Sequence, residues 1–147
     1  MKIKSAAFSE NQMIPQKYTC QGEDINPPLT IEGVPAAAKS VALIVDDPDA
    51  PGKTWVHWVV YNIPAKTTVE IPEKSIPGAQ VQNDFGNKDY GGPCPPSGTH
   101  RYFFKTYALD TMLSFKESPA NKKDLERAMQ GHVLAKGELV GLYKKGK

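Results

Sequence analysis

The chain has 147 residues, 39% hydrophobic and 23% charged, which fits one globular domain, 1–147, large enough to bury a core without a metal or disulfide staple. Its 18 basic and 16 acidic residues leave a net charge of +2, too balanced for a nucleic-acid surface, and the lysines at 144, 145 and 147 read as a solvated end. No apolar run has the form of a signal-peptide core or the ~20-residue length of a transmembrane helix, so a cytoplasmic protein is expected.

Pro at 13 and Gly at 12 favour many turns and short strands over long helices. In chain order, residues 3–8 form a weak strand candidate. Residues 40–45 are a short apolar, β-branched run that stops at Asp46-Asp47-Pro48. Residues 55–63 are rich in aromatic and β-branched side chains and stop at Pro64. Residues 80–99 carry many glycines and prolines and no periodic apolar pattern, the composition of a functional loop. Residues 101–109 and 138–143 are strands by the same signals as 40–45 and 55–63. One helix is expected over 121–130. Asn121 caps it, Leu125, Ala128 and Met129 share a face, and Gly131 ends it. Strands first and a helix near the C-terminus predict a mostly-β fold, an antiparallel β-sandwich with short peripheral helices.

Strand alternation puts Trp55, His57, Val59 and Tyr61 on one face and His100, Tyr102 and Phe104 on another. If those faces align, two imidazoles and a phenol converge beside Asp47, at the turn leaving the preceding strand. Imidazole N–H, phenol O–H and the amides of a Pro/Gly loop are donors suited to a phosphate or other oxyanion. A carboxylate would orient one imidazole and favour its charged form. Histidines and aromatics in half-buried strands are also ordinary core residues. No nucleophile elbow, Cys-x-x-Cys, His-Glu-x-x-His or phosphate-binding P-loop pattern occurs. A His₂/Asp metal site would depend on distances, and no metal or cofactor is expected. Cys20 and Cys94 form neither a metal motif nor a disulfide framework and read as reduced thiols.

The motifs also carry a resemblance. Asp47-Pro48-Asp49-Ala50-Pro51, Trp55-Val56-His57-Trp58 and Gly91-Gly92-Pro93-Cys94-Pro95-Pro96-Ser97-Gly98-Thr99-His100-Arg101-Tyr102 resemble signatures of the phosphatidylethanolamine-binding protein family. Residues 18–29 and 131–135 look like its bacterial and archaeal branch, often labelled Raf-kinase-inhibitor-like. The resemblance implies a β-sandwich with a pocket at one end for phosphate, phosphorylethanolamine, acetate or similar anions. Asp47, Trp55, His57, His100 and Tyr102 would line it, and the Cys94 amide would donate to the anion. Pro95 and Pro96 would support it, as would Asp49 and Arg101 as an ion pair. It also suggests a cis bond at Asp47-Pro48. Short connections after Pro51 and before His100, and a chain ending soon after its last strand, set this sequence apart from mammalian members. The implied role is a regulatory, non-enzymatic binding protein for a small anion, a headgroup or a phosphorylated partner. A kinase partner and a homodimer are further readings. The alternative is a small hydrolase or transferase with a pocket histidine as general base.

Overall fold

The computed structural model describes residues 1–146. Nine strands and one α-helix follow in the order β1 (Lys2–Lys4), β2 (Gln12–Met13), β3 (Leu29–Glu32), β4 (Ser40–Asp47), β5 (Trp55–Pro64), β6 (Thr68–Ile71), β7 (Ala79–Val81), β8 (Thr99–Leu109), α1 (Lys122–Met129) and β9 (Val133–Lys144). A six-stranded sheet runs β2-β9-β8-β4-β5-β7 and a three-stranded sheet runs β1-β3-β6. All pairings are antiparallel except β2 with β9.

The apolar run of β4 is continuous because both its faces are covered: all eight residues are buried. Val41, Leu43 and Val45 point into the core between the sheets, among Leu29, Ile31, Val69, Ile71, Trp58 and Phe104. Ala42 and Ile44 point the other way, to Leu113, Leu125 and Met129 around α1. Asp46 therefore emerges on the helix side. There, one carboxylate oxygen meets Lys105 Nζ at 3.2 Å and Lys122 Nζ at 3.0 Å. Asp47 falls on the sandwich side, at the open end of the core.

The expected antiparallel sandwich is what forms. The helix is capped as expected: the Asp124 amide donates to Asn121 Oδ1 at 3.1 Å, Leu125 and Met129 are buried, and Gly131 has φ +80°. Four short strands, β2, β3, β6 and β7, were not anticipated. The first strand is shorter than the 3–8 expectation because Ser5 leaves the ladder to bond the Pro28 carbonyl.

Three expectations are corrected. First, alternation along β5 breaks. Val45 pairs with Trp58 but Asp46 pairs with Val56, so His57 is the extra residue of a β-bulge. Beyond it, Val59 belongs to the helix-side cluster and Tyr61 packs against that cluster, not on the face of Trp55 and His57. Second, every described peptide bond is trans. Asp47 faces the pocket from the end of β4, and the chain turns because the Asp49 amide donates to Asp47 Oδ1 at 2.7 Å, an Asx turn that redirects the backbone. Third, Cys20 and Cys94 are not free thiols but a disulfide, with Cα atoms 5.5 Å apart. The fold brings the first loop against the 91–98 segment, which sequence distance concealed.

Candidate functional site

At one end of the sandwich lies a cavity of about 350 Å³ lined by Asp47, Ala50, Pro51, Trp55, His57, Phe85, Cys94, Pro95, Pro96, His100 and Tyr102. Asp47 closes β4, Trp55 and His57 open β5, and His100 and Tyr102 open β8. The bulge turns His57 into the cavity although its neighbour Trp58 enters the core. All six residues expected to bind and both expected prolines are brought together.

The polar floor is tightly bonded. His57 Nδ1 meets the Gly91 carbonyl at 2.6 Å. Its ring lies edge-on to Phe85 and Tyr102, with centroids 5.3 and 5.2 Å away. Burial pushes its pKa below the ordinary 6.5, against the opposing pull of the Gly91 carbonyl and Asp47. His100 Nδ1 meets Asp47 Oδ2 at 2.7 Å, so His100 is the imidazole that the carboxylate orients. The Tyr102 hydroxyl is buried and gives its hydrogen to no acceptor among the described residues, while the Cys94 amide approaches its oxygen as a donor. Burial and then Asp47 hold its pKa well above the ordinary tyrosine value.

Around this floor stands an apolar collar of Ala50, Pro51, Trp55, Phe85, Pro95 and Pro96. Trp55 and Phe85 pack edge to face at 5.5 Å. Phe85, 43% exposed, was missed as a site residue, as were Ala50 and Pro51, although all three lie within segments the sequence singles out. Phe85 is presented by Asn83, whose Oδ1 accepts the amides of Phe85 and Asn87 at 2.9 and 3.1 Å. The side-chain Nδ2 of Asn83 donates to the His57 carbonyl at 3.2 Å and the Asp89 carbonyl at 2.8 Å.

The opposite wall is fastened from behind. The Gly91 amide donates to the His57 carbonyl at 3.0 Å. The Gly92 amide donates to Asp24 Oδ1 at 2.8 Å, and a Cβ on Gly92 would collide with the Tyr18 carbonyl and Asp24. The Cys20 amide donates to the Pro93 carbonyl at 3.1 Å. From Cys94 to Gly98 the described backbone–backbone hydrogen bonds cease, and the disulfide is the anchor.

Asp49 and Arg101 stand outside the lining. Arg101 Nε and its backbone amide both donate to Asp49 Oδ2 at 2.9 Å, and a terminal guanidinium nitrogen donates to Oδ1 at 2.9 Å. That bidentate pairing lowers the Asp49 pKa to about 2. The pair ties the turn after β4 to β8. Among the described residues no three His, Cys, Asp or Glu side chains are grouped to hold a metal ion, and no helix is long and apolar enough to cross a membrane.

Comparison with known proteins agrees with this architecture. The family model described as phosphatidylethanolamine-binding protein matches residues 4–144. A UPF0098 protein of Methanothermobacter thermautotrophicus is 53% identical, covering 99% of this chain and 100% of that one. A crystal structure titled as a phosphatidylethanolamine-binding protein homologue from Chlamydia trachomatis superposes with a TM-score of 0.93 at 44% identity, covering 99% of this chain and 97% of that one. YbcL of E. coli, titled as a new member of the mammalian family, superposes with a TM-score of 0.88 at 31% identity, covering 99% and 98%. The chain belongs to the phosphatidylethanolamine-binding protein family.

Proposed function

We propose that the cavity binds a small oxyanion group, namely phosphate, a phosphorylethanolamine-type headgroup or a phosphorylated group on a partner protein, and that the protein acts as a regulatory binding module. The observation that carries this reading is the Tyr102 hydroxyl, a buried donor with no acceptor among the described residues. A buried polar group of this kind calls for a partner from outside the protein. A cavity near 350 Å³ accommodates a headgroup and not acyl chains. Binding is favoured over catalysis because no hydroxyl nucleophile other than Tyr102 lines the cavity and the Cys94 sulfur is held in the disulfide. The Asp47–His100 contact favours general-base hydrolysis as the second reading.

Calorimetry with inorganic phosphate and phosphorylethanolamine tests the proposal. Tyr102→Phe should keep the fold and weaken phosphate binding by roughly ten- to a hundredfold, the loss of one hydrogen bond to a charged group at ~1.5–3 kcal/mol. Unchanged affinity in the variant, or no binding by the parent chain, would count against it. Turnover of an aryl phosphate above background would favour the hydrolase instead. A disulfide-bonded protein in the cytoplasm is characteristic of hyperthermophiles; otherwise the cross-link points to an oxidising compartment.

A further inference from the structure

The hydrogen bonds behind the two histidines decide what their exposed nitrogens offer. A backbone carbonyl and a carboxylate can only accept. Nδ1 of His57 therefore carries the hydrogen it gives to Gly91, and Nδ1 of His100 the one it gives to Asp47. In a neutral ring so fixed, Nε2 is a bare lone pair. Among the described residues the hydrogen bonds of both rings run from Nδ1.

The cavity also lacks fixed positive charge, since its lining contains no lysine or arginine. The ionisable groups around His57 are Asp47 and, on the far side, Asp46 from β4, and His100 and Tyr102 from β8. The 83–92 segment contributes the Phe85 ring and the Gly91 and Gly92 carbonyls. A fully deprotonated oxyanion pushed against His57 would meet a lone pair with a carboxylate close by. A ligand oxygen that still carries its hydrogen would meet a well-placed acceptor, while Tyr102 donates to a second oxygen.

We infer that the cavity takes its oxyanion in protonated form, with one acidic hydrogen lying between a ligand oxygen and Nε2 of His57. The inference rests on the anion-pocket reading above. The ligand class is then an oxyanion that keeps a proton near neutral pH, such as the monoanion of phosphate or of a phosphate monoester, in preference to one that is bare there, such as sulfate. When the free ligand is the dianion, the proton comes from solvent on binding. The burial that disfavours the charged form of His57 supports the same assignment.

Calorimetry with inorganic phosphate at about pH 8.5, in two buffers of different ionisation enthalpy, reads the proton directly: uptake should approach one per phosphate bound, and affinity should fall about tenfold per pH unit. At about pH 6, sulfate should bind at least roughly tenfold more weakly than phosphate. His57→Gln, whose amide supplies an N–H without titrating, should bind phosphate with no proton uptake and discriminate less against sulfate. Circular dichroism establishes that this variant is folded, and if it is not, the buffer comparison on the unaltered protein decides. Phosphate binding without proton uptake, or uptake that persists in folded His57→Gln, would overturn this inference and leave the anion pocket standing. No binding of phosphate or sulfate at either pH would overturn both.

Discussion

Removing the cross-link between Cys20 and Cys94 is a demanding perturbation, because the disulfide does two jobs. It joins residues 74 positions apart, and closing a loop of that length removes chain entropy worth about 4.5 kcal/mol from the unfolded state. At ~2.1 cal/mol/K of unfolding entropy per residue, a chain of 147 residues converts this into a melting-point loss of up to about 14 °C. The second job is local. The wall from Cys94 to Gly98 has no described backbone–backbone hydrogen bond, so without the cross-link Pro95 and Pro96 lose their anchor to the body of the protein. Cys20 is exposed, so a dithiol reductant can reach its sulfur. Scanning calorimetry of the unaltered protein with and without reductant, and of Cys20→Ser/Cys94→Ser, should show a fall of about 7–14 °C, corresponding to ~2–4.5 kcal/mol. Phosphate affinity should fall with it. A melting point that moves less than about 2 °C in both experiments would refute the reasoning.

Gly92→Ala should destabilise the protein by about 1–3 kcal/mol, because the new methyl meets backbone at Tyr18 and cannot be relieved by a side-chain rotation; urea melts measure it. Asp49 tests the acid side of the stability curve. Its folded pKa of about 2 lies below the ordinary 3.8, so its contribution is present above the ordinary value and is lost as pH falls through about 2. The pair is partly exposed, with Arg101 53% and Asp49 29% accessible, which limits the effect to about 1 kcal/mol. Asp49→Asn should therefore lower stability at neutral pH by that amount and flatten the decline between these two pKa values, as thermal melts across pH 2–5 would record.

Where burial on both faces or one clean period dominates, the elements were legible: β4 as an unbroken apolar run, β8 by alternation through His100, Tyr102 and Phe104, and α1 by its cap and its Leu125–Met129 face. The site residues were legible through motif resemblance, since convergence of β4, β5 and β8 is a tertiary fact. The short strands were harder. Leu29 and Ile31 alternate with polar neighbours, as do Val69 and Ile71, and four residues give that period too little length to stand out. The bulge at His57 was invisible for a different reason. Every residue around it favours a strand, and only pairing with β4 reveals that one of them has no partner. Phe85 escaped because its place is set by the Asn83 bonds and not by any period. The disulfide escaped because loop closure over that span leaves no local trace.

The loop that frames the cavity also guards the sheet. β7 covers β5 only opposite Val59, Val60 and Tyr61, which would leave the stretch around Val56 and His57 as an open edge of an aromatic, β-branched strand. The loop fills that gap: the Asp84 amide donates to the Val56 carbonyl at 2.9 Å, the Gly91 amide donates to the His57 carbonyl at 3.0 Å, and the Val56 amide donates to Asp84 Oδ2 at 2.7 Å. Open edges of this composition template intermolecular strand pairing. The lining of the cavity and the cover of the strand edge are thus supplied by different residues of one loop. Phe85 is free to vary with what the cavity must accept, whereas Asn83, Asp84 and Gly91 are held by the solubility of the whole chain, and a loop redesigned for a new ligand without them would be expected to yield a protein that clumps before it binds.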